Sequence, residues 1–523
     1  MAEARIVTPF GAPPDAAARR ATSMLHPASA RLLPWALAIT AVISLYYVFL
    51  ASAGRFIDVP RQLDYYDQMA EGFRHGHLYV QKQPAPQLLA SSNPFDPKFF
   101  PIWLWDASLY NGHYYMYWGP VPGLALLAYK VITRTQGVIT DQWITTLLTL
   151  GRLYAGVALI GSLASRARIR QPAWVVCLAI AVFGLANPVP FTVARPHIYE
   201  GSLMGGQCFL FWGLVAAFWG VELPARRRWL FALASASFGL ASGCRATVLV
   251  AVPFLIVISA GFAWYGGKPS WRERLRDGLA LVLPVGLAVG AYGAYNYARF
   301  DSVTEFGLHY QATLQPFYGK GEFVVPNVFA YLLAPVMWSC HFPYVTILGG
   351  RAPSALITWP PGYLTFERVG GVLLTAWWCW LALVWVYGAL RQLSPRTRSV
   401  ARSSSPTLTA HELWASLCAI ACVLTVLPVL TLWEASMRYV GDAIGGLVVV
   451  STLAAFGLLE RARASRNRIF AAAAPALVVV LGLQTCVIGA LAAFTSYDDP
   501  LKTANPVLYK RLERTLSVCA LPG

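Results

Sequence analysis

Apolar residues in this chain come in long blocks, and polar residues gather between them. Leu33–Leu50, Leu281–Tyr297, Val369–Leu390 and Ile469–Phe494 each approach the roughly twenty residues that a helix needs to cross a hydrocarbon core. Lipid offers the backbone no hydrogen-bond partners, so such blocks satisfy their own N–H and C=O groups as helices. The pattern predicts an all-α polytopic membrane protein with about eleven crossings. These fall near 33–52, 142–164, 172–192, 201–222, 230–243, 246–264, 278–298, 369–391, 412–432, 440–459 and 469–493. The apolar run from Trp118 to Val131 is short and opens on Gly119-Pro120 and Pro122. It is expected to lie along the membrane surface as a helix over 118–133.

Composition agrees: of 523 residues, 57% are hydrophobic and only 12% charged, where a soluble chain carries about a quarter. The net charge of +17 does not mark a nucleic-acid binder, because the basic residues form no single face. They sit in clusters between apolar blocks, as in Arg166/Arg168/Arg170, Arg226/Arg227/Arg228 and Arg461/Arg463/Arg466/Arg468. Such clusters mark the cytoplasmic side of a membrane. This assigns the tail 1–32 and the Ser/Arg-rich linker 392–410 to the cytoplasm, around a transmembrane domain 33–493. The large first loop 53–140, the segment 299–365 and the tail 494–523 are expected outside, with interfacial helices in the first loop. Ala51-Ser52-Ala53 resembles a signal-peptidase site, but the apolar block before it has the length of a retained first helix. Of nine cysteines, Cys340 and Cys519 fall on outer segments, where a disulfide can form. No zinc-like CxxC spacing occurs.

Candidate chemistry gathers on the outer side. The first loop carries Asp64, Asp67 and Asp106 among Tyr65, Tyr66, Trp105, Tyr115 and Trp118. Further turns carry Arg195-Pro196-His197-Ile198-Tyr199-Glu200, Arg245, and Glu434 with Arg438, Tyr439 and Asp442. Charges near membrane depth are costly and mark a site or a buried pair. Carboxylates can act as a general base or hold a divalent cation, forked arginines can hold a phosphate, and aromatic faces can stack on sugar rings. Each also has a structural alternative. Asp64 and Asp67 can cap or decorate an amphipathic helix, Asp106 can cap a turn, Glu200 can pair with Arg195, and Arg438 can pair with Glu434 or Asp442.

The layout resembles the GT-C glycosyltransferases, membrane enzymes that take sugars from polyprenyl-phosphate donors. The stretches that carry the resemblance are Asp64-Tyr65-Tyr66-Asp67, His75-Gly76-His77-Leu78-Tyr79, Tyr114-Tyr115-Met116-Tyr117-Trp118-Gly119-Pro120-Val121-Pro122, Gly239-Leu240-Ala241-Ser242-Gly243-Cys244-Arg245 and Arg438-Tyr439. The family's usual loop acid falls where this chain has Arg61, with Asp64 three residues later. Asp64, Asp67 and Asp106 therefore all stand as candidates for the catalytic acid. The resemblance implies an inner-membrane enzyme with its N-terminus in the cytoplasm and its active site facing the periplasm. Its donor would be a polyprenyl-phosphate sugar and its acceptor a glycan, lipid or protein. Asp64 would be the base, Glu200 would orient the acceptor or help hold a cation, and Arg245 and Arg438 would contact phosphate. Arg195, His197, Tyr439, Tyr115 and Trp118 would bind substrate. Two other classes fit a polytopic chain: a flippase for lipid-linked saccharide, and a non-catalytic envelope-assembly protein.

Overall fold

The computed structural model describes residues 27–56, 63–167, 171–265, 269–311, 319–348, 357–364, 367–393, 409–497 and 499–519. Most of the expected cytoplasmic tail 1–32 and of the linker 392–410 lies outside these residues, as does Arg61.

The apolar blocks form helices, numbered here where they reach ten residues or more. They are α1 (Pro27–Ala51), α2 (Tyr65–Arg74), α3 (Val121–Thr133), α4 (Asp141–Arg166), α5 (Ala173–Leu185), α6 (Ile198–Glu222), α7 (Arg227–Cys244), α8 (Val252–Tyr265), α9 (Trp271–Phe300), α10 (Val324–Leu333), α11 (Leu381–Leu393), α12 (Ala410–Val423), α13 (Met437–Ala464), α14 (Arg468–Ala492) and α15 (Pro506–Leu516). Among the described residues, seven helical stretches are long and apolar enough to cross a membrane: Leu32–Ala51, Asp141–Arg166, Ile198–Glu222, Trp271–Phe300, Ala410–Thr431, Met437–Ala464 and Arg468–Thr495. Shorter apolar helices accompany them. The chain is a polytopic helical membrane protein.

Proline explains where two of the long predicted helices divide, whereas the one expected at 369–391 divides into Val372–Thr375, a 3-10 turn Trp377–Trp380 and α11 without one. The block expected at 172–192 ends as α5 at Leu185, ahead of Pro188 and Pro190. The one expected at 412–432 continues from α12 as a 3-10 stretch, Leu424–Thr431, around Pro428. A ring without an N–H breaks the ladder at each place. The segment 299–365 carries secondary structure of its own. It contains α10 and an antiparallel hairpin, β3 (Val336–Trp338) with β4 (Val345–Ile347). The first outer loop holds a second hairpin, β1 (Ser108–Tyr110) with β2 (His113–Tyr115).

Helices α6 and α13 form the centre, each with 83% of its apolar window buried, whereas α9 has 11% buried and lies at the rim. α3 has thirteen residues, about 20 Å, too short to cross. Its Lys130 is buried and lies 2.6 Å from both Asp67 and Glu71 of α2. Burial alone would pull that ammonium down, but the hydrogen bonds and charges of the two carboxylates outweigh it and hold it above its ordinary value. This clamp docks the first loop onto α3.

Cys340, beyond β3, and Cys519, beyond α15, form a disulfide with Cα atoms 5.6 Å apart. The same tail returns to the end of α1, where Asn505 Nδ2 donates to Ala53 O at 3.0 Å and an Arg55 guanidinium N–H donates to Ala504 O at 2.7 Å. The ends of α1, the β3–β4 hairpin and the C-terminal tail therefore share one side of the bundle.

Candidate active site

A cavity of about 630 Å³ opens between the rim helix α9 and the central helices. Its walls come from residues 117–120, the start of α6, the turn after α7, the C-terminal part of α9 and the start of α13. Two glycines allow this approach. A Cβ on Gly119 would lie 1.9 Å from the Gly243 carbonyl oxygen, and one on Gly243 would lie 1.9 Å from the Tyr292 hydroxyl. The aromatic run before Gly119 and the turn that carries Arg245 meet only because neither position has a side chain.

Three arginines line the cavity: Arg245, Arg299 and Arg438. Arg245 follows α7 and makes a two-pronged pair with Asp442 of α13, its Nε and one terminal nitrogen each 2.5 Å from a carboxylate oxygen. The Thr247 hydroxyl donates to the same carboxylate at 3.2 Å. Arg438 pairs with Glu367 at 2.7 Å, and its guanidinium lies 4.3 Å from the centre of the Tyr199 ring. Glu367 also accepts from the Tyr497 hydroxyl at 2.9 Å and from the Ser436 hydroxyl. Neither local partner weighed for Arg438 makes this pair: Asp442 faces Arg245, while Glu434 accepts from the Glu367 N–H at 3.2 Å. Among the described lining residues there is no Asp or Glu.

The four candidate acids fall in different settings. Asp64 occupies the position just before α2, yet its carboxylate caps nothing. Asp141 of α4 caps the helix in its place, accepting from the N–H groups of Tyr65 and Tyr66 at 3.2 and 3.0 Å. Asp64 remains partly exposed and accepts from Gln68 Nε2 at 2.7 Å. Asp67 is buried and held by Lys130 and by the Ile139 N–H. Asp106 is buried at a left-handed residue (φ 55°) and accepts from Gln311 Nε2 at 2.8 Å. Since Gln311 lines the cavity, Asp106 stands one side chain behind its wall. Glu200 is buried near the start of α6, where it closes a capping box by accepting from the His197 N–H at 3.2 Å. Burial, then the charges of Arg195 and Arg438, push the His197 imidazole down to about 3. It stays neutral and accepts from the first turn of α6.

Among the other expected binding residues, Trp118 and Tyr439 line the cavity beside Arg245 and Arg438. Tyr115 packs instead against Phe300, with ring centres 5.3 Å apart. The Arg195 guanidinium lies 5.1 Å from the Tyr497 ring centre, behind the wall. Sequence reasoning gave no site role to Arg299, Gln311, Tyr199 or Glu367. Arg299 had a signal, as a basic residue at the outer end of a predicted crossing, against the charge rule. Gln311 and Glu367 had none, because their partners are distant in sequence. Among the described residues, no group of three or more His, Cys, Asp or Glu is placed to hold a metal ion.

The fold and cavity define a polytopic helical membrane protein with a cationic, aromatic site at one end of its helices. No protein-family model and no curated protein matches the chain. Among solved structures it is similar to the oligosaccharyltransferase of Archaeoglobus fulgidus in the apo form, with TM-score 0.45 and 11% identity over 93% of this chain and 60% of that one. It is also similar to ArnT from Cupriavidus metallidurans bound to undecaprenyl phosphate, with TM-score 0.43 and 14% identity over 90% of this chain and 78% of that one. The chain thus spans about 60% of the archaeal enzyme's length. Identities and scores this low leave the chemistry to be read from the site's own residues.

Proposed function

We infer that this chain is a membrane glycosyltransferase. It would move a sugar from a polyprenyl-phosphate donor to a glycan, lipid or protein acceptor on the outer face of the cytoplasmic membrane. The observation that carries the reading is the cavity. Its volume suits a lipid-linked sugar head, its aromatic rings offer faces for a sugar, and its charged lining residues are arginines. The sequence resemblance to GT-C enzymes points the same way.

In the proposed reaction Asp64 takes the proton of an acceptor hydroxyl. The acceptor oxygen forms a bond to the anomeric carbon from the face opposite the phosphate. The bond from that carbon to the phosphate oxygen breaks, and its electron pair leaves on the phosphate. Arginines balance the charge that develops there. Asp106, through Gln311, positions the wall beside Tyr117. A flippase would need charged groups along a route through the membrane. Here Arg245 follows the end of α7, Arg299 lies at the end of α9 and Arg438 at the start of α13, a clustering at helix ends that favours the enzyme.

Mass spectrometry of envelope glycans tests this. Deleting the chain is expected to remove one sugar, and complementation to restore it. An unchanged glycan profile would remove the transferase reading.

The outer placement of the tail makes its own prediction. Intact cells treated with a membrane-impermeant maleimide are expected to label Cys340 and Cys519 only after mild reduction. Labelling of both without reductant would remove the disulfide, and labelling of neither after reduction would remove the outer placement.

A further inference from the structure

We propose that Arg299 is the anion-binding residue of the cavity, and that its ligand is a phosphate monoester carried on a lipid chain. Deepening the transferase reading and resting on it only for the lipid's role, this moves the phosphate contact from Arg245 and Arg438 to a residue at the rim.

The three arginines differ in how they are neutralised. Arg245 is matched by Asp442 and Arg438 by Glu367. Arg299 is 4% exposed and has no carboxylate within salt-bridge distance among the described residues. One of its terminal nitrogens donates to Met116 O at 2.6 Å, the other to Asn296 Oδ1 at 2.7 Å, and Nε has no partner. The two nearby acids are engaged elsewhere. Glu305 binds the Gly307 N–H and His309 Nδ1, each at 2.5 Å, and Asp301 accepts from the Tyr110 hydroxyl at 3.1 Å. The segment 312–318, which follows Gln311, contains no Asp or Glu.

The guanidinium carbon lies over the Tyr295 ring, 3.8 Å from its centre, so its position is set before any ligand arrives. A buried charge whose hydrogen-bond partners are neutral oxygens, with Glu305 acting on it only from beyond salt-bridge distance, is costly, and a bound anion offsets that cost. The source of the anion follows from position. α9 is the rim helix, and Val289, Gly290 and Gly293 put an apolar, small-residue strip of it on the same cavity. An acyl chain can lie along that strip while its phosphate reaches Arg299.

The test is calorimetric titration of the purified full-length chain in detergent with dodecyl phosphate, using dodecanol and inorganic phosphate as comparison ligands. The wild type is expected to bind dodecyl phosphate at least about ten-fold tighter than either. Arg299→Gln is expected to lose about ten-fold in dodecyl phosphate affinity and none for dodecanol. Arg299→Lys keeps the charge and one donor for Met116 O but loses the fork, so it should fall between, and it serves if the Gln variant does not fold. Unchanged dodecyl phosphate affinity in these variants would overturn the proposal, as would a wild type that does not distinguish dodecyl phosphate from dodecanol. Inorganic phosphate binding as tightly as dodecyl phosphate would overturn the lipid assignment. Arg299-dependent binding alongside an unchanged envelope glycan would keep this site and remove the transferase reading.

Discussion

Asp64→Asn is expected to lower sugar transfer by at least about 10²-fold while leaving the amount of protein in the membrane unchanged. A general base needs a carboxylate that can come within hydrogen-bond reach of an incoming hydroxyl. Asp67 is buried against Lys130, Glu200 is buried in its capping box, and Asp106 is buried behind Gln311. Asp64 alone of the four is partly exposed, because Asp141 caps α2 in its stead. Like the other three acids it is not among the described lining residues, and its neighbours tie its loop to residues just behind the wall. The Tyr65 hydroxyl donates to Trp105 O at 2.7 Å, next to Asp106, and the Tyr66 hydroxyl donates to Ile198 O at 2.8 Å, next to Tyr199. An Asn at position 64 can still accept from Gln68, so the fold should be indifferent to it. Glycan analysis of the complemented deletion strain provides the readout. Full restoration by Asp64→Asn, with loss in Asp106→Asn, would make Asp106 the base.

Asp442→Ala should act on folding rather than on chemistry alone. The carboxylate is 1% exposed and takes two hydrogen bonds from Arg245 and one from Thr247. Its removal leaves the Arg245 charge buried without its partner, which costs about 3–5 kcal/mol in comparable pairs. The expected result is a sharp fall in the midpoint of thermal aggregation, followed by size-exclusion chromatography in detergent. The double variant Asp442→Ala with Arg245→Met removes both charges and should recover much of the loss. Equal stability of the wild type and the single variant would mean that Arg245 finds another partner or water.

Helix existence was legible because the bilayer imposes it. Any block of about twenty apolar residues must close its own hydrogen bonds, and those at 33–50 and 469–494 became α1 and α14. Helix integrity was less legible. Pro188 and Pro428 mark the breaks, but proline inside α9 at Pro284 left that helix whole, since neighbouring packing decides which kinks a helix survives. The polar side of the site was legible as a collection and not as a set of pairs. Arg245, Arg438, Trp118 and Tyr439 were all expected near substrate and all line one cavity.

By itself the sequence determined that the chain crosses membrane repeatedly as helices; that its basic clusters mark one side and its candidate site residues the other is an expectation of the charge rule. These follow from local properties, namely apolar length, charge order and residue type, which need no partner to act. Only the tertiary structure decided that Asp141 rather than Asp64 caps α2, that Asp442 neutralises Arg245 while Glu367 takes Arg438, and that Arg299 faces the same cavity with no carboxylate beside it among the described residues. Those outcomes depend on which helices become neighbours. A charge pair spanning 197 positions, as between Arg245 and Asp442, is set by packing and leaves no trace in local order.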